Sequence, residues 1–193
     1  MRPLESSASF AAMVLTVAYD PAMTMFDAYF EEGLSLAVDL ANLSSAFRRG
    51  APATHDAPVA ARTTRITDPE ALHDLSGRVR AIVASPGPAE AAALINGVLA
   101  EHAAAPELAL TAGRWRLHLH PTDSSVASRD AVKAASGLAV LLDADGWTTL
   151  RVCAASRCDD VFRDQSRNST RRYCSRTCAN RMNAEHARAR RLS

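Results

Sequence analysis

The sequence predicts an α+β protein in two parts: a mostly helical N-terminal body, residues 1–148, carrying one small β-hairpin, and a compact C-terminal module, residues 149–193. Three observations predict it. Apolar residues recur at helical spacing in several stretches of the body, whereas residues 107–120 alternate with period two. All four cysteines fall in the last 41 residues. Charge divides at nearly the same place: residues 151–193 hold 11 arginines against four acidic side chains, a formal balance of +7, while residues 1–150 balance at −6. The chain of 193 residues fits one domain of about 150 residues with a small appended module.

From the N-terminus, Phe10 to Tyr19 is a ten-residue apolar run. Glu5 and the missing small-x-small cleavage site argue against an export signal, and ten residues fall short of the roughly 20 that span a bilayer. A buried strand or helix in a cytoplasmic protein is expected. Residues 26–45 are apolar in both periods, and a helix is expected from about 31. Asp39 and Asn42 lie at i, i+3 within it; an exposed helix face with ordinary capping is expected, and the lining of a ligand pocket is the alternative. Residues 46–66, with Pro52 and Pro58, read as a long loop.

Asp68-Pro69-Glu70 is a helix start, a capping carboxylate followed by proline where its missing N–H costs nothing. Leu72, Leu75, Val79, Ile82 and Val83 follow at helical spacing until Ser85-Pro86-Gly87 stops the run. Leu94, Ile95, Val98 and Leu99 form a second stripe, so 69–84 and 89–104 read as a helical hairpin, with Gly77 and Gly97 as weak points. Leu108 and Leu110 alternate before Ala112-Gly113, and Trp115, Leu117 and Leu119 after it, which makes a β-hairpin. Its other face shows Arg114, Arg116, His118 and His120; the two histidines have chelating spacing but no neighbouring partner, so a solvated polar face is expected. A helix over 125–142 and an Asp145-Gly146 turn lead into the C-terminal module.

Cys153, Cys158, Cys174 and Cys178 are spaced C-x4-C, fifteen residues, C-x3-C. Two close pairs across a short insert are what tetrahedral zinc needs, each pair placing two sulfurs on one side of the ion. Two disulfides are the rival, disfavoured in a chain without an export signal and with a core too large to need them. Val161, Phe162 and Tyr173 are almost the only apolar material between the pairs. One zinc ion per chain would therefore supply much of the module's folding free energy, on the order of 10 kcal/mol or more. Ser175 is a good N-cap, placing Cys178 in the first turn of a helix that runs to about Arg191. A knuckle, a hairpin and such a helix make a treble-clef-like finger.

Residues 151–191 resemble the CGNR zinc finger family, named for a Cys-Gly-Asn-Arg motif at its last ligand, here Cys178-Ala179-Asn180-Arg181. Asp164-x-Ser166-Arg167-Asn168, Arg171-Arg172-Tyr173-Cys174-Ser175 and Arg188-x-Arg190 also follow the family pattern. Leu34–Asn42 and Leu94-Ile95-Asn96 are similar to the ABATE domain usually joined to that finger. The resemblance implies a stress-induced transcription regulator whose finger binds DNA. Ala179 stands where the family has glycine, and Asn183 where it often has lysine. A left-handed backbone at Ala179 would be strained.

No nucleophile–base pair, paired catalytic carboxylates, phosphate loop or dinucleotide fingerprint stands out, so an enzyme is not expected. The expected partner is DNA, met by Arg167, Arg171, Arg172, Arg176, Arg181, Arg188, Arg190 and Arg191. Arg181 and Arg188 project from one side of the last helix and Arg190 from another, a ring that fits phosphates better than base edges. The body would sense a small-molecule effector or form a homodimer, and would fold on a core separate from the finger's. The alternative is a small-molecule-binding stress protein whose finger binds protein or RNA.

Overall fold

The computed structural model describes residues 27–48, 68–111, 113–144 and 146–192. The apolar run at 10–19, residues 49–66 of the expected loop, and the turn positions Ala112 and Asp145 lie outside them. Helix α1, Asp27–Arg48, begins about a turn before the expected start and continues into the expected loop. Phe30, Leu34, Ala37 and Ala41, spaced three or four apart, are all buried, so tertiary burial extends the helix beyond its ambiguous sequence pattern. Helix α2, Pro69–Val83, starts as expected: the Asp68 carboxylate accepts the Glu70 N–H at 2.9 Å. Helix α3, Pro88–Glu101, returns beside it.

Strands β1, Ala105–Thr111, and β2, Arg114–His120, pair antiparallel with Leu108 opposite Leu117 and Leu110 opposite Trp115. The expected facing is reversed. Leu108, Leu110, Trp115 and Leu117 are exposed, whereas the histidine side is turned toward the body. Tyr29 of α1 stacks on His118 with ring centroids 4.3 Å apart, and its hydroxyl donates to the Leu119 carbonyl at 2.9 Å. Burial, then the electrostatic influence of His120, Lys133 and Arg116, lowers the His118 pKa.

Helix α4, Val126–Asp143, is the centre of the body, capped by the Ser125 hydroxyl accepting the Ser128 N–H at 3.1 Å. Its most extensive partner is α1. The two backbones approach so closely that a Cβ on Gly137 would lie 2.2 Å from the Leu34 nitrogen, and one on Gly33 would lie 2.2 Å from the Lys133 carbonyl oxygen. Both glycines are required by this crossing. Gly77 and Gly97 face open space and leave α2 and α3 unbroken.

A 3-10 turn, Gly146–Thr149, leads to β3, Leu150–Val152, which pairs antiparallel with β4, Val161–Arg163. Helix α5, Arg176–Leu192, closes the chain. The two expected cores are both present but not fully separate. Val161 is buried in the same cluster as Leu40, Ile82, Ile95 and Leu138, and Trp147 and Leu150 pack against that cluster. A second cluster of Cys153, Ala155, Phe162 and Cys178, flanked by Tyr173 and Met182, belongs to the C-terminal module alone.

Gly137→Ala is expected to destabilise the protein by about 1–3 kcal/mol through overpacking against α1 backbone, which cannot rotate away. Gly77→Ala and Gly97→Ala should be neutral or stabilising by up to about 1 kcal/mol, because only helix propensity changes. Urea unfolding of the three variants checks the opposite signs.

Candidate metal centre

Cys153 and Cys158 sit in the connection that joins β3 to β4, Cys174 ends the loop after β4, and Cys178 lies in the first turn of α5. The Ser175 hydroxyl accepts the Cys178 N–H at 3.2 Å and caps that helix. The fold of the first knuckle is local: Cys153 N–H donates to the Asp160 carbonyl at 2.8 Å, Cys158 N–H to the Ala155 carbonyl at 3.1 Å, and Arg157 takes a left-handed φ of 66°. Helix α5 is held against this knuckle by Ser156, whose N–H meets the Met182 sulfur at 3.2 Å and whose hydroxyl meets the Glu185 carboxylate at 2.8 Å.

All four sulfurs lie within 4.8 Å of one another. Cys158 and Cys174 are 3.7 Å apart at sulfur, and Cys174 and Cys178 are 3.6 Å apart. Zinc–thiolate bonds of about 2.3 Å in a tetrahedron require sulfur–sulfur edges of about 3.8 Å, against about 2.05 Å for a disulfide. The thiols are unbridged, and these two edges match the tetrahedron. The donor set forms one zinc site. Burial pushes the Cys158 thiol well above its ordinary range, against a hydrogen bond from the Asp160 backbone that lowers it, and pushes Cys174 up to about 11. The Ser175 hydrogen bond, at the helix start, lowers Cys178.

Asp164 organises the loop that returns to Cys174, a role its place in a turn sequence did not reveal. Its buried carboxylate accepts the Ser166 hydroxyl at 2.5 Å, the Ser166 N–H at 3.0 Å and the Arg171 N–H at 2.8 Å, and Arg151 Nε lies 3.6 Å away. The Ser166 hydrogen bond is the main reason its pKa is lowered.

The eight expected DNA-contacting arginines divide. The Arg181 guanidinium lies 3.6 Å from the Cys178 sulfur, turned inward as a neighbour of the metal ligand. Arg171 spans the last knuckle, its Nε donating to the Tyr173 carbonyl at 2.9 Å and its Nη2 to the Cys174 carbonyl, with its guanidinium 5.1 Å from the Phe162 ring centroid. Arg167, Arg172, Arg176, Arg188, Arg190 and Arg191 are exposed. Arg172 and Arg176 border a groove of about 550 Å³ at the start of α5. Ala179 lies inside α5, its N–H donating to the Ser175 carbonyl at 3.1 Å, so no left-handed backbone is needed there and alanine is unstrained.

Asn42 faces the metal module. Its side-chain oxygen accepts the Val161 N–H at 2.6 Å, and its side-chain nitrogen donates to the Val161 carbonyl at 3.0 Å. Asp39 is half-buried one turn earlier. A nearby cleft of about 210 Å³ is bordered by Glu31, Leu34, Ser35, Val38, Arg163 and Gln165. Arg163 pairs with Glu31 at 2.7 Å, and Arg80 with Asp159 at 3.9 Å, adding two ionic contacts between the parts.

Fold and site define a helical body bearing a C-terminal zinc finger. Residues 149–191 match the CGNR zinc finger family. A search of curated proteins gives no significant match. No helix among the described residues is long and apolar enough to cross a membrane.

Purified reduced protein is expected to hold one zinc per chain, and Cys174→Ser to lose it. Because burial raises the Cys158 and Cys174 thiols, zinc must displace about two protons from these two ligands alone. Apparent affinity should then fall roughly a hundredfold or more for each pH unit lost between about pH 8 and 6, measured by chelator competition. A pH-independent affinity would contradict the thiolate assignment.

Asn42→Ala leaves both Val161 backbone groups without their partner and should cost about 1–3 kcal/mol in urea unfolding. Zinc stoichiometry should not change. Unaltered stability would mean that Asn42 does not join the two parts.

Proposed function

We propose that the protein is a DNA-binding transcription regulator whose zinc finger grips the phosphate backbone while the body carries the regulatory input. The observation that supports this most directly is the set of outward-facing arginines on the finger, with Arg172 and Arg176 beside the N-terminus of α5. Amide groups and the helix dipole favour an anion at that end, and guanidinium forks match phosphate oxygens. Arg188 and Arg191 lie more than two turns further along the helix. This spread suits a backbone track better than one base-reading face. The acidic body opposes a polyanion and so confines the contact to the finger.

Four thiolates close the zinc coordination sphere and leave no position for a reactive water, so the metal is structural in this reading. The resemblance of the finger and body to stress-induced regulators supports the finer role, with an effector acting on the body.

Fluorescence anisotropy with duplex DNA across a salt series tests the reading. About four neutralised phosphates give a slope of log K against log salt near −3.6. Replacing Arg172 and Arg176 with alanine should flatten the slope by about two for all sequences alike. Arg181→Ala should instead lower zinc affinity, since that side chain sits on a metal ligand. A wild-type slope near zero overturns nucleic-acid binding.

A further inference from the structure

The β1–β2 hairpin carries an apolar face with nothing packed on it among the described residues. Leu108, Leu110 and Trp115 are 63%, 62% and 67% exposed, and Leu117 is 41% exposed. The register sets Leu108 beside Leu117 and Leu110 beside Trp115, two short rows on one side of the ribbon. Pro106 and Leu119 pair at the end of the same side, so no position on it carries a charge. The hairpin cannot simply turn over to bury this face. Its other side is fixed to α1 by the Tyr29–His118 stack and by the Tyr29 hydrogen bond to Leu119.

We propose that this face is a two-fold dimer interface, occupied by the same face of a second copy of the chain. At the observed exposures the four side chains present roughly 400–500 Å² of apolar surface, at the upper end of what a monomer leaves in water. Two such faces, with Pro106 and Leu119 at the rim, remove about 1,000 Å² together, the area at which specific association begins. An isologous contact brings each residue's surroundings against themselves, which penalises any charged face by like-charge repulsion. This face escapes that penalty. It also offers nothing to a phosphate or to a charged peptide. A two-stranded ribbon is marginal alone, so a second ribbon stacked about 10 Å away supplies the packing layer it lacks. The inference does not depend on nucleic-acid binding; if both hold, the dimer offers two fingers to one duplex.

Sedimentation equilibrium of the full zinc-loaded chain, from about 1 to 100 µM, is the test. The expected result is a reversible shift from 20.6 kDa toward twice that mass, with a micromolar dissociation constant. Leu110→Glu with Trp115→Glu should raise that constant by about 100-fold or more while leaving zinc content unchanged, since both side chains are exposed. Should that variant be insoluble, Leu108→Thr with Leu117→Thr keeps strand propensity and is read instead. A chain that stays monomeric at the highest concentration overturns the proposal. If acrylamide quenching in a Trp147→Phe background also finds Trp115 shielded in that monomer, the face is covered by the chain itself. A dimer that the substitutions leave intact overturns it as well, by placing the interface elsewhere.

Discussion

Strand β4 is at the centre of the join between the two parts, and the alternation of one pair of its residues sets the geometry there. Successive side chains of a strand point to opposite sides. Val161 enters the core of the helical body, and Phe162 enters the small cluster around the cysteines. Asn42 holds the strand in that register by bonding both backbone groups of Val161. A slip of one residue would exchange the two side chains, putting the larger phenylalanine into a filled core and valine beneath the metal. The register therefore couples two structures that composition and charge present as independent. Zinc binding organises the knuckles on either side of β4, so the free energy of coordination is felt by the body through Val161 as well as by the finger.

The arginine richness of the finger has a similar double character. Arg151, Arg163, Arg171 and Arg181 are spent on the fold: against Asp164 and the Ser169 carbonyl, against Glu31, across the last knuckle, and onto the Cys178 sulfur. A module with so little apolar content uses planar, multiply bonded guanidinium groups as struts, which lysine could not replace. The formal excess of +7 therefore overstates the charge available to a partner. What remains is distributed around α5 and the loop before it, a geometry set by where the struts are not required.

Local features were legible in the sequence and long-range ones were not. Asp68-Pro69 fixes the start of α2 and Ser175 the start of α5, because capping is settled within three residues. The cysteine spacing is legible for the same reason. Period two in the hairpin assigns residues to faces but does not say which face is covered, and here the histidine side is the covered one because Tyr29, 90 residues away, reaches the Leu119 carbonyl. Gly33 and Gly137 carry no local signal of their function, since each matters only because the other helix crosses there. Asn42 was legible as a polar residue in an apolar helix, but its partner is 119 residues distant. Arg181 looked like one more member of a basic helix until the fold placed it beside a sulfur.

Helix α1 ties these pieces into one geometry. Its 22 residues extend about 33 Å as a rigid rod. Near its start Tyr29 fixes the hairpin, Gly33 then seats the rod on α4, and Asn42 clamps β4 of the finger. Glu31 reaches the finger as well, through Arg163. The hairpin and strand β4 of the finger are consequently both bonded to one continuous element. An event that binds or shifts α1 must therefore move the hairpin and the finger together, or break the Asn42 clamp. In either case the strain falls on Val161, whose two backbone groups both bond to Asn42 and whose side chain fills the core of the body.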